Sequence, residues 1–469
     1  MGTGLGNSLS LMMLVLWPAV AAVLFSQLPH RAAIIWTILA GYLLLPPVVG
    51  IDLPLLPPVD KHGIPAIAAL VGALALRTQS PLHWQRPEWW VLALVALALV
   101  TPVVTMATNP EPLIVGITYR PGLGLFDALN GVIGAVVMLL PFLLGYMVLS
   151  STDGVRAWMA ALLLAGLAYS LPMLLEVRMS PQLNVWIYGF FAHDFSQAIR
   201  YGGYRPMVFL EHGLWVALFG FMAVIAATLH LREGESRLRL RNGAVLAYLL
   251  VVLFLCKSAA SLIYAVLLVP MVLLAPPVWQ VRLAALLALT VLVYPLLRWL
   301  NLFPVDAIRD LAMSFDAERG RSLEFRFANE DLLLERASQK PLAGWGGWGR
   351  NLDIDPISGR FATVSDGYWV VMMTISGIIG YVATFGLLCG SLIRLWIAAR
   401  ASAIDRWTAG LALMMAANLV DLVPNATVTP LTWLSLGAVA GLAARGVTVP
   451  QDAGVPRVKD RPRMRTVIG

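Results

Sequence analysis

The chain has 469 residues, of which 59% are hydrophobic and 13% are charged, and its formal net charge is +7. A soluble domain has roughly 45–50% apolar and about 25% charged residues, so this composition excludes an ordinary soluble protein. The basic residues lie in short segments between apolar stretches, which indicates membrane topology and no nucleic-acid partner.

Long uncharged apolar stretches recur along the chain and predict membrane-spanning segments. About 20 apolar residues cross a bilayer, where only helices or closed barrels satisfy the backbone. The stretches do not alternate apolar and polar residues, so we expect helices and not a barrel. In chain order the predicted spans are roughly 8–26, 31–50, 64–77, 89–106, 128–149, 157–176, 208–230, 243–257, 259–275, 283–299, 367–391, 408–423 and 431–445.

These spans predict an all-α polytopic membrane protein with about 12–13 transmembrane helices, since two of them are short. The N-terminal stretch lacks a preceding basic segment and is predicted to be a first span, not a cleaved signal. Residues 1–445 are expected to form a single transmembrane domain. Residues 446–469 are predicted to be a disordered basic tail that touches anionic lipid headgroups.

Lysine and arginine residues predict the orientation of the spans. They concentrate in 231–242, 392–407 and 446–469, and cytoplasmic segments carry such an excess. Segment 77–88 fits the same side. Alternation then places the three longer loops outside, at 107–127, 178–207 and 300–366.

The loop 300–366 is the only sizeable polar region within the transmembrane domain. Apolar residues recur at helical spacing over 322–339, with charged residues between them, and predict an amphipathic helix. Pro341 and Gly344 end this pattern. A glycine-rich turn follows, carrying Trp345 and Trp348.

Four arginines are candidates for binding a lipid diphosphate at the outer face, because a guanidinium binds phosphate in a bidentate manner. The alternative for each is a side chain that reaches lipid headgroups. Arg205 is favoured, because a Gly-Gly-Tyr-Arg-Pro turn fixes its backbone. The four are Arg200, Arg205, Arg321 and Arg326.

Three residues at span mouths are candidates for proton transfer. Asp366 is a general base or an acceptor for a sugar hydroxyl, and it also suits a helix N-cap. Glu211 and His212 are a base and its partner, or interfacial polar residues. The intramembrane polar residues Asn418 and Asp421 are further functional candidates.

Aromatic residues beside these groups are candidates for sugar binding, although interfacial tryptophan also anchors spans. They are Tyr204, Trp345 and Trp348. A metal site built from His193, Asp194, Glu211 and His212 is disfavoured, because no H-x-x-x-H or D-x-D spacing supports it. No Walker or dinucleotide motif is present, so no cofactor is expected. These residues alone leave an enzyme and a transporter both open.

Three patches over roughly residues 200–390 resemble the O-antigen ligase/polymerase family of bacterial membrane glycosyltransferases. Arg326, an amphipathic stretch and Pro341–Gly346 are similar to the family's Arg, helix and P-x-x-G-x-G turn. Asp366 followed by Gly377–Gly380 is similar to a reactive residue before a span that carries G-x-x-G. Tyr204–Pro206 followed by Glu211–Gly213 resembles the preceding outer loop.

The resemblance implies metal-independent, inverting glycosyl transfer at the periplasmic face of the bacterial inner membrane. The donor would be an oligosaccharide on undecaprenyl diphosphate, with Arg205 and Arg326 stabilising the leaving group. Asp366, or Glu211 with His212, would accept the proton of the acceptor hydroxyl. Membrane lipids and a chain-length regulator are the other implied partners.

Among the members of this family, a polymerase is favoured over a ligase. Ligases typically carry His where this chain has Asp366, and their acceptor is lipid A-core or a protein. A flippase or transporter of lipid-linked glycan is a further alternative. A transporter should carry charge deep in several spans, whereas Glu176, Lys257 and Asp421 lie near span ends, which favours an enzyme.

Overall fold

The computed structural model describes residues 6–52, 57–75, 84–315, 317–364 and 366–446. The described chain is mostly helical, and eight of its helices are long and apolar enough to cross a membrane. These features confirm an all-α polytopic membrane protein. The predicted tail 446–469 lies outside the described residues, apart from Gly446.

The α-helices are α1 Ser8–Gln27, α2 His30–Leu44, α3 Ile64–Ala75, α4 Trp89–Ala107, α5 Leu125–Val148, α6 Thr152–Met179, α7 Leu183–Tyr188, α8 Gly213–Glu233, α9 Arg239–Leu255, α10 Ala259–Leu274, α11 Pro277–Trp299, α12 Val305–Phe315, α13 Ala317–Gln339, α14 Tyr368–Ala398, α15 Arg406–Asp421 and α16 Pro430–Arg445. Short 3-10 helices cover Phe195–Ala198 and Ser236–Leu238. The strands are β1 Gly50–Ile51, β2 Val59–Asp60, β3 Leu113–Val115, β4 Thr118–Arg120, β5 Ile199–Arg200 and β6 Gly203–Tyr204, paired in sequence as antiparallel hairpins.

Each predicted span overlaps one of these helices, but several boundaries differ from the prediction; α11, for example, begins at Pro277 and α14 ends at Ala398. The span predicted for 31–50 ends as a helix at Leu44, because Pro46 disfavours helical conformation in the residue before it. The span predicted to begin at 208 begins at Gly213. The segment before it is irregular, and Val208 has a positive φ of 51°.

The helix connections segregate onto two faces of the bundle. We call the face that carries the three hairpins and α12–α13 the loop face. At the opposite face, Arg406 lies 2.8 Å from Glu233, and Arg394 lies 2.8 Å from Glu88. The basic segments 231–242 and 392–407 therefore lie together on one face, as predicted.

Helices α5 and α16 pack closely against each other in the bundle core. A Cβ atom at Gly145 would lie 2.0 Å from the carbonyl oxygen of Leu434, and one at Gly437 would lie 2.0 Å from that of Phe142. Small residues let membrane helices pack backbone to backbone in this way. Helix α5 is thereby fixed between two of the cavities described below.

The amphipathic helix predicted for 322–339 is confirmed as the larger part of α13. Leu334 and Ala337 are buried, as their spacing predicted. The helix ends at Gln339, two residues before Pro341, which cannot continue a helix.

The glycine-rich turn after α13 inserts into a break in α14. Gly377 has φ 63° and ψ −164°, a conformation open to glycine alone, and it interrupts the helical hydrogen bonds. The freed N–H of Ile378 donates to Pro341 O at 2.8 Å. In the other direction, Trp345 N–H donates to Thr374 O at 2.8 Å. These two hydrogen bonds anchor the turn to α14 on both sides of the break.

Candidate active site at the loop face

Arg205 is a buried cation with an unused hydrogen-bond donor. The β5–β6 hairpin fixes its backbone, since Arg205 N–H donates to Ala198 O at 2.8 Å. Its side chain is 7% exposed and packs on Gly213, where a Cβ would lie 2.1 Å from Arg205 Cδ. Nη2 donates to Lys257 O at 3.1 Å, while Nε has no partner among the described residues.

Two further basic residues lie beside Arg205. Lys257 joins α9 to α10 with a positive φ of 53°, and its Nζ donates to Arg200 O at 2.9 Å. The Arg200 side chain is exposed. Burial, and then the neighbouring charge of Arg200, lower the pKa of Arg205 to about 10, so it remains cationic at neutral pH. Together these three residues form a positive site with a spare N–H. Lys257 was not predicted to belong to it.

Arg326 and Asp366 form a second charged pair at the loop face. Arg326 Nε lies 3.9 Å from Asp366 Oδ2, and Nη1 donates to Pro424 O at 3.1 Å. Arg326 therefore joins α13 to the α15–α16 connection. The Asp366 side chain is 39% exposed and accessible to a ligand. The fourth predicted arginine, Arg321, is exposed on α13.

The predicted capping role of Asp366 is wrong. The N-cap of α14 is Gly367, which has no side chain to accept a hydrogen bond. The first-turn N–H of Tyr368 instead donates to Leu422 O at 3.0 Å, at the end of α15. The α15 end thus supplies the cap, and the Asp366 carboxylate is not used for it.

Asp421 supports this pair from inside the bundle. Its Oδ2 accepts the Thr427 hydroxyl at 2.7 Å, and its Oδ1 accepts Asn425 Nδ2 at 3.2 Å. The Asn425 Oδ1 faces Arg326 Nη1 at 3.4 Å. Asp421 therefore orients Asn425 toward Arg326. Asn418 is separate from this network, since its Oδ1 accepts the Thr432 hydroxyl at 2.6 Å.

Glu330 is a buried carboxyl group beside Asp366 that sequence reasoning missed. It lines the same narrow crevice as Arg326 and Asp366. Its Oε2 accepts the Tyr294 hydroxyl at 3.1 Å and lies 3.3 Å from Arg298 Nε. Burial raises the pKa of Glu330 to about 7, against the effect of Arg298. Its position within a charged amphipathic stretch gave no signal of this burial.

His212 has both ring nitrogens engaged, so the structure provides no lone pair for general-base work. It is the N-cap of α8, where Nδ1 accepts Leu214 N–H at 3.0 Å. Nε2 then carries the ring proton and donates to Gln197 Oε1 at 3.1 Å. Burial, and then the charge of Arg205, lower the pKa of His212 to about 4. His212 is therefore neutral at pH 7 and holds the start of α8.

Glu211 pairs with His62 instead of the predicted partner His212. Glu211 Oε1 lies 2.8 Å from His62 Nε2, and both side chains are partly exposed. The two side chains are adjacent in the chain but contact different neighbours, since Glu211 pairs with His62 and His212 with Gln197. No group of three or more metal-ligating side chains converges in the described part of the chain.

The two predicted sugar-stacking tryptophans differ in accessibility. One face of Trp345 is covered by the Arg336 guanidinium, 3.6 Å from the ring centroid, and its Nε1 donates to Arg336 O at 2.8 Å. Trp348 is 70% exposed, and its Nε1 donates to Asp127 Oδ1 at 3.0 Å. Tyr204 is partly buried in the Arg205 hairpin. Trp348 is thus the more accessible of the two indoles.

Trp348 stands at the mouth of an apolar cavity of about 330 Å³. The cavity lies between α4, α5 and α14 and extends from Asp127 at the loop face to Thr384 within α14. Its size and apolar walls suit part of a hydrocarbon chain.

Comparison with models of known protein families gives no match, and no curated protein sequence is significantly similar to this chain. The assignment of a function therefore depends on the chemistry of the loop face.

Proposed function

We propose that this protein is a membrane glycosyltransferase that polymerises undecaprenyl-diphosphate-linked oligosaccharides at the periplasmic face of the bacterial inner membrane. The observation that carries this proposal is Arg205, a buried guanidinium whose Nε has no partner among the described residues. An unpaired buried donor is costly unless a ligand completes it, and a diphosphate does so with full charge complementarity.

The proposed reaction is inverting and needs no metal or cofactor. The acceptor hydroxyl oxygen bonds to the anomeric carbon of the donor as the bond from that carbon to the diphosphate oxygen breaks. The diphosphate leaves with the electron pair, and Arg205 and Arg326 stabilise its charge. Asp366 takes the hydroxyl proton; its carboxylate is partly exposed and lies beside Arg326, next to the proposed diphosphate contact.

Buried charged side chains support an enzyme over a flippase. A transport path requires polar groups along the depth of several spans. Here Glu176, Arg205 and Asp421 are buried at or beyond helix ends on the loop face. The cavity beside Trp348 offers a place for the polyprenyl chain of a bound substrate. These features suit chemistry at one membrane face.

A direct assay tests the proposal. The purified full chain in phospholipid nanodiscs would be incubated with a polyprenyl-diphosphate-linked repeat unit in the presence of EDTA. We expect products of two or more units together with released polyprenyl diphosphate. Transfer to lipid A-core without self-extension would assign a ligase instead, and absence of any transfer to either acceptor would refute glycosyl transfer.

A further inference from the structure

A second large cavity, of about 440 Å³, lies on the other side of α5. Its walls come from α3, α5 and the start of α16, with Ile67, Val137 and Trp433 among the lining residues. A groove of about 380 Å³ adjoins it at Val59 and Ile67 and follows α3 to Ala75. The described residues that line this groove are all apolar. The two spaces together suit a long hydrocarbon chain within the membrane.

Among the described lining residues, the polar groups lie at the loop-face end of this space. Asp60, His62 and Trp215 line the cavity there, and Glu211 holds His62 from behind at 2.8 Å. Because the Glu211 carboxylate accepts from Nε2–H, the His62 Nδ1 is left as an acceptor, and it has no partner among the described residues. The cavity mouth therefore offers an oriented imidazole acceptor beside carboxylates.

The charge at this mouth disfavours an anionic headgroup. The neighbouring lysine, Lys61, is fully buried, and its Nζ donates to Phe209 O at 2.6 Å and lies over the Tyr42 ring. It is therefore turned into the protein, while Asp60 places a carboxylate at the mouth and Glu211 lies behind His62. Hydroxyl donors match these acceptors, and the Trp215 and Trp433 indoles provide flat apolar surfaces next to them.

We infer that this cavity binds a neutral glycolipid, with its alkyl chain along α3 and a sugar hydroxyl donating to His62 Nδ1. The site is separate from the crevice of Arg326 and Asp366, and the inference does not depend on the proposed glycosyl transfer. It requires only a hydroxylated neutral head and an apolar chain.

Photolabelling of the full chain tests this inference. The protein, in phosphatidylcholine nanodiscs prepared without glycoside detergent, would be irradiated with a dodecyl glucoside that carries a diazirine in its chain. We expect labelled peptides within 57–75 and 133–141. Unlabelled dodecyl glucoside should displace the probe, whereas dodecyl phosphate should not. Equal displacement by dodecyl phosphate would overturn the inference.

Three variants test whether labelling depends on the cavity and on His62. Gly134 lines the cavity, and a Cβ there meets no atom within 4 Å, so Gly134→Leu should fill the space and abolish labelling. His62→Ala should reduce labelling about tenfold, the size of one strong hydrogen bond. Gly243→Leu, on α9 near the opposite face, is the matched control and should label normally. Normal labelling of Gly134→Leu would also overturn the inference.

Discussion

Glu211 is bonded to His62, 149 positions away in the chain, and not to its neighbour His212. The two adjacent residues Glu211 and His212 therefore belong to different parts of the loop face. His212 caps α8 and lies beside Arg205, whereas Glu211 holds His62, which lines the cavity between α3 and α5. Variants of the two adjacent residues should therefore affect different sites.

Arg205 is expected to be essential for activity but not for insertion. Arg205→Ala should lower polymer formation about a hundredfold or more, because one oriented donor to developing charge is lost. Arg205→Lys should rescue poorly, since a point charge does not reproduce the guanidinium fork. Polymer length on gels and protein level in membranes measure the two effects. Arg241→Ala, exposed on α9, is the control. Near-normal polymer from Arg205→Ala would remove the diphosphate site.

Gly213→Ala perturbs Arg205 without changing any charge. Its Cβ would lie 2.1 Å from Arg205 Cδ, so the guanidinium must move. We expect the activity loss to approach that of Arg205→Ala. Gly243→Ala, whose Cβ meets only Leu231 at 4.0 Å, should keep full activity. An active Gly213→Ala variant would show that the position of Arg205 is not critical.

Asp366→Asn should be nearly as inactive as Asp366→Ala, because the amide cannot accept a proton. Neither variant should lose more than about 1 kcal/mol of stability, since the carboxylate is not the α14 cap and its ion pair is partly solvated. Activity and thermal unfolding of the purified variants measure this. A fully active Asp366→Asn protein would refute the assignment of Asp366 as the base.

Gly377→Ala should destabilise the protein by about 2–4 kcal/mol. An alanine is strained at φ 63° and ψ −164°, and its Cβ would lie 2.4 Å from the Leu342 backbone. The turn that carries Trp345 would then lose its partners in α14. Thermal unfolding in detergent should show the loss. Gly390→Ala, in the same helix with Trp90 at 3.4 Å, should not lower stability.

Glu330 should make stability fall as pH rises. Its folded-state pKa of about 7 lies above the unfolded value of 4.5, so the folded protein binds the extra proton between these limits. The contribution of Glu330 to the free energy of unfolding is therefore full below pH 4.5 and is lost as pH rises through about 7. In Glu330→Gln, the unfolding temperature should depend less on pH between 4.5 and about 7 than it does in the wild type. Glu335→Gln, exposed on the same helix, should leave the slope as it is in the wild type.

The predicted orientation can be tested with single cysteines. Lys340→Cys should react with an impermeant maleimide from outside the cell, and Ser236→Cys only after the inner face is opened. The native Cys256 and Cys389 are buried and should give little background. Labelling of position 340 only from inside would reverse the topology.

The spans, the amphipathic helix over 322–339 and the grouping of basic segments followed from the sequence alone. The helices depend on local properties of the sequence. The length of an apolar stretch predicts a membrane helix, and the spacing of apolar residues predicts the buried face of an amphipathic helix. Leu334 and Ala337 are buried as their period predicts. The turn at Pro341 likewise ends its helix because proline lacks the N–H that a helix needs.

Partners between distant segments were decided only by the tertiary structure. Composition could not show that Glu211 would select His62, that Glu330 would be buried beside Asp366, or that the α15 end would cap α14. Each depends on which helices pack together, and glycine contacts such as Gly145 against Leu434 set that packing. The sequence therefore showed which chemical groups are present at the loop face. Which of these groups pair with each other was decided by the helix packing that brings them within hydrogen-bond distance.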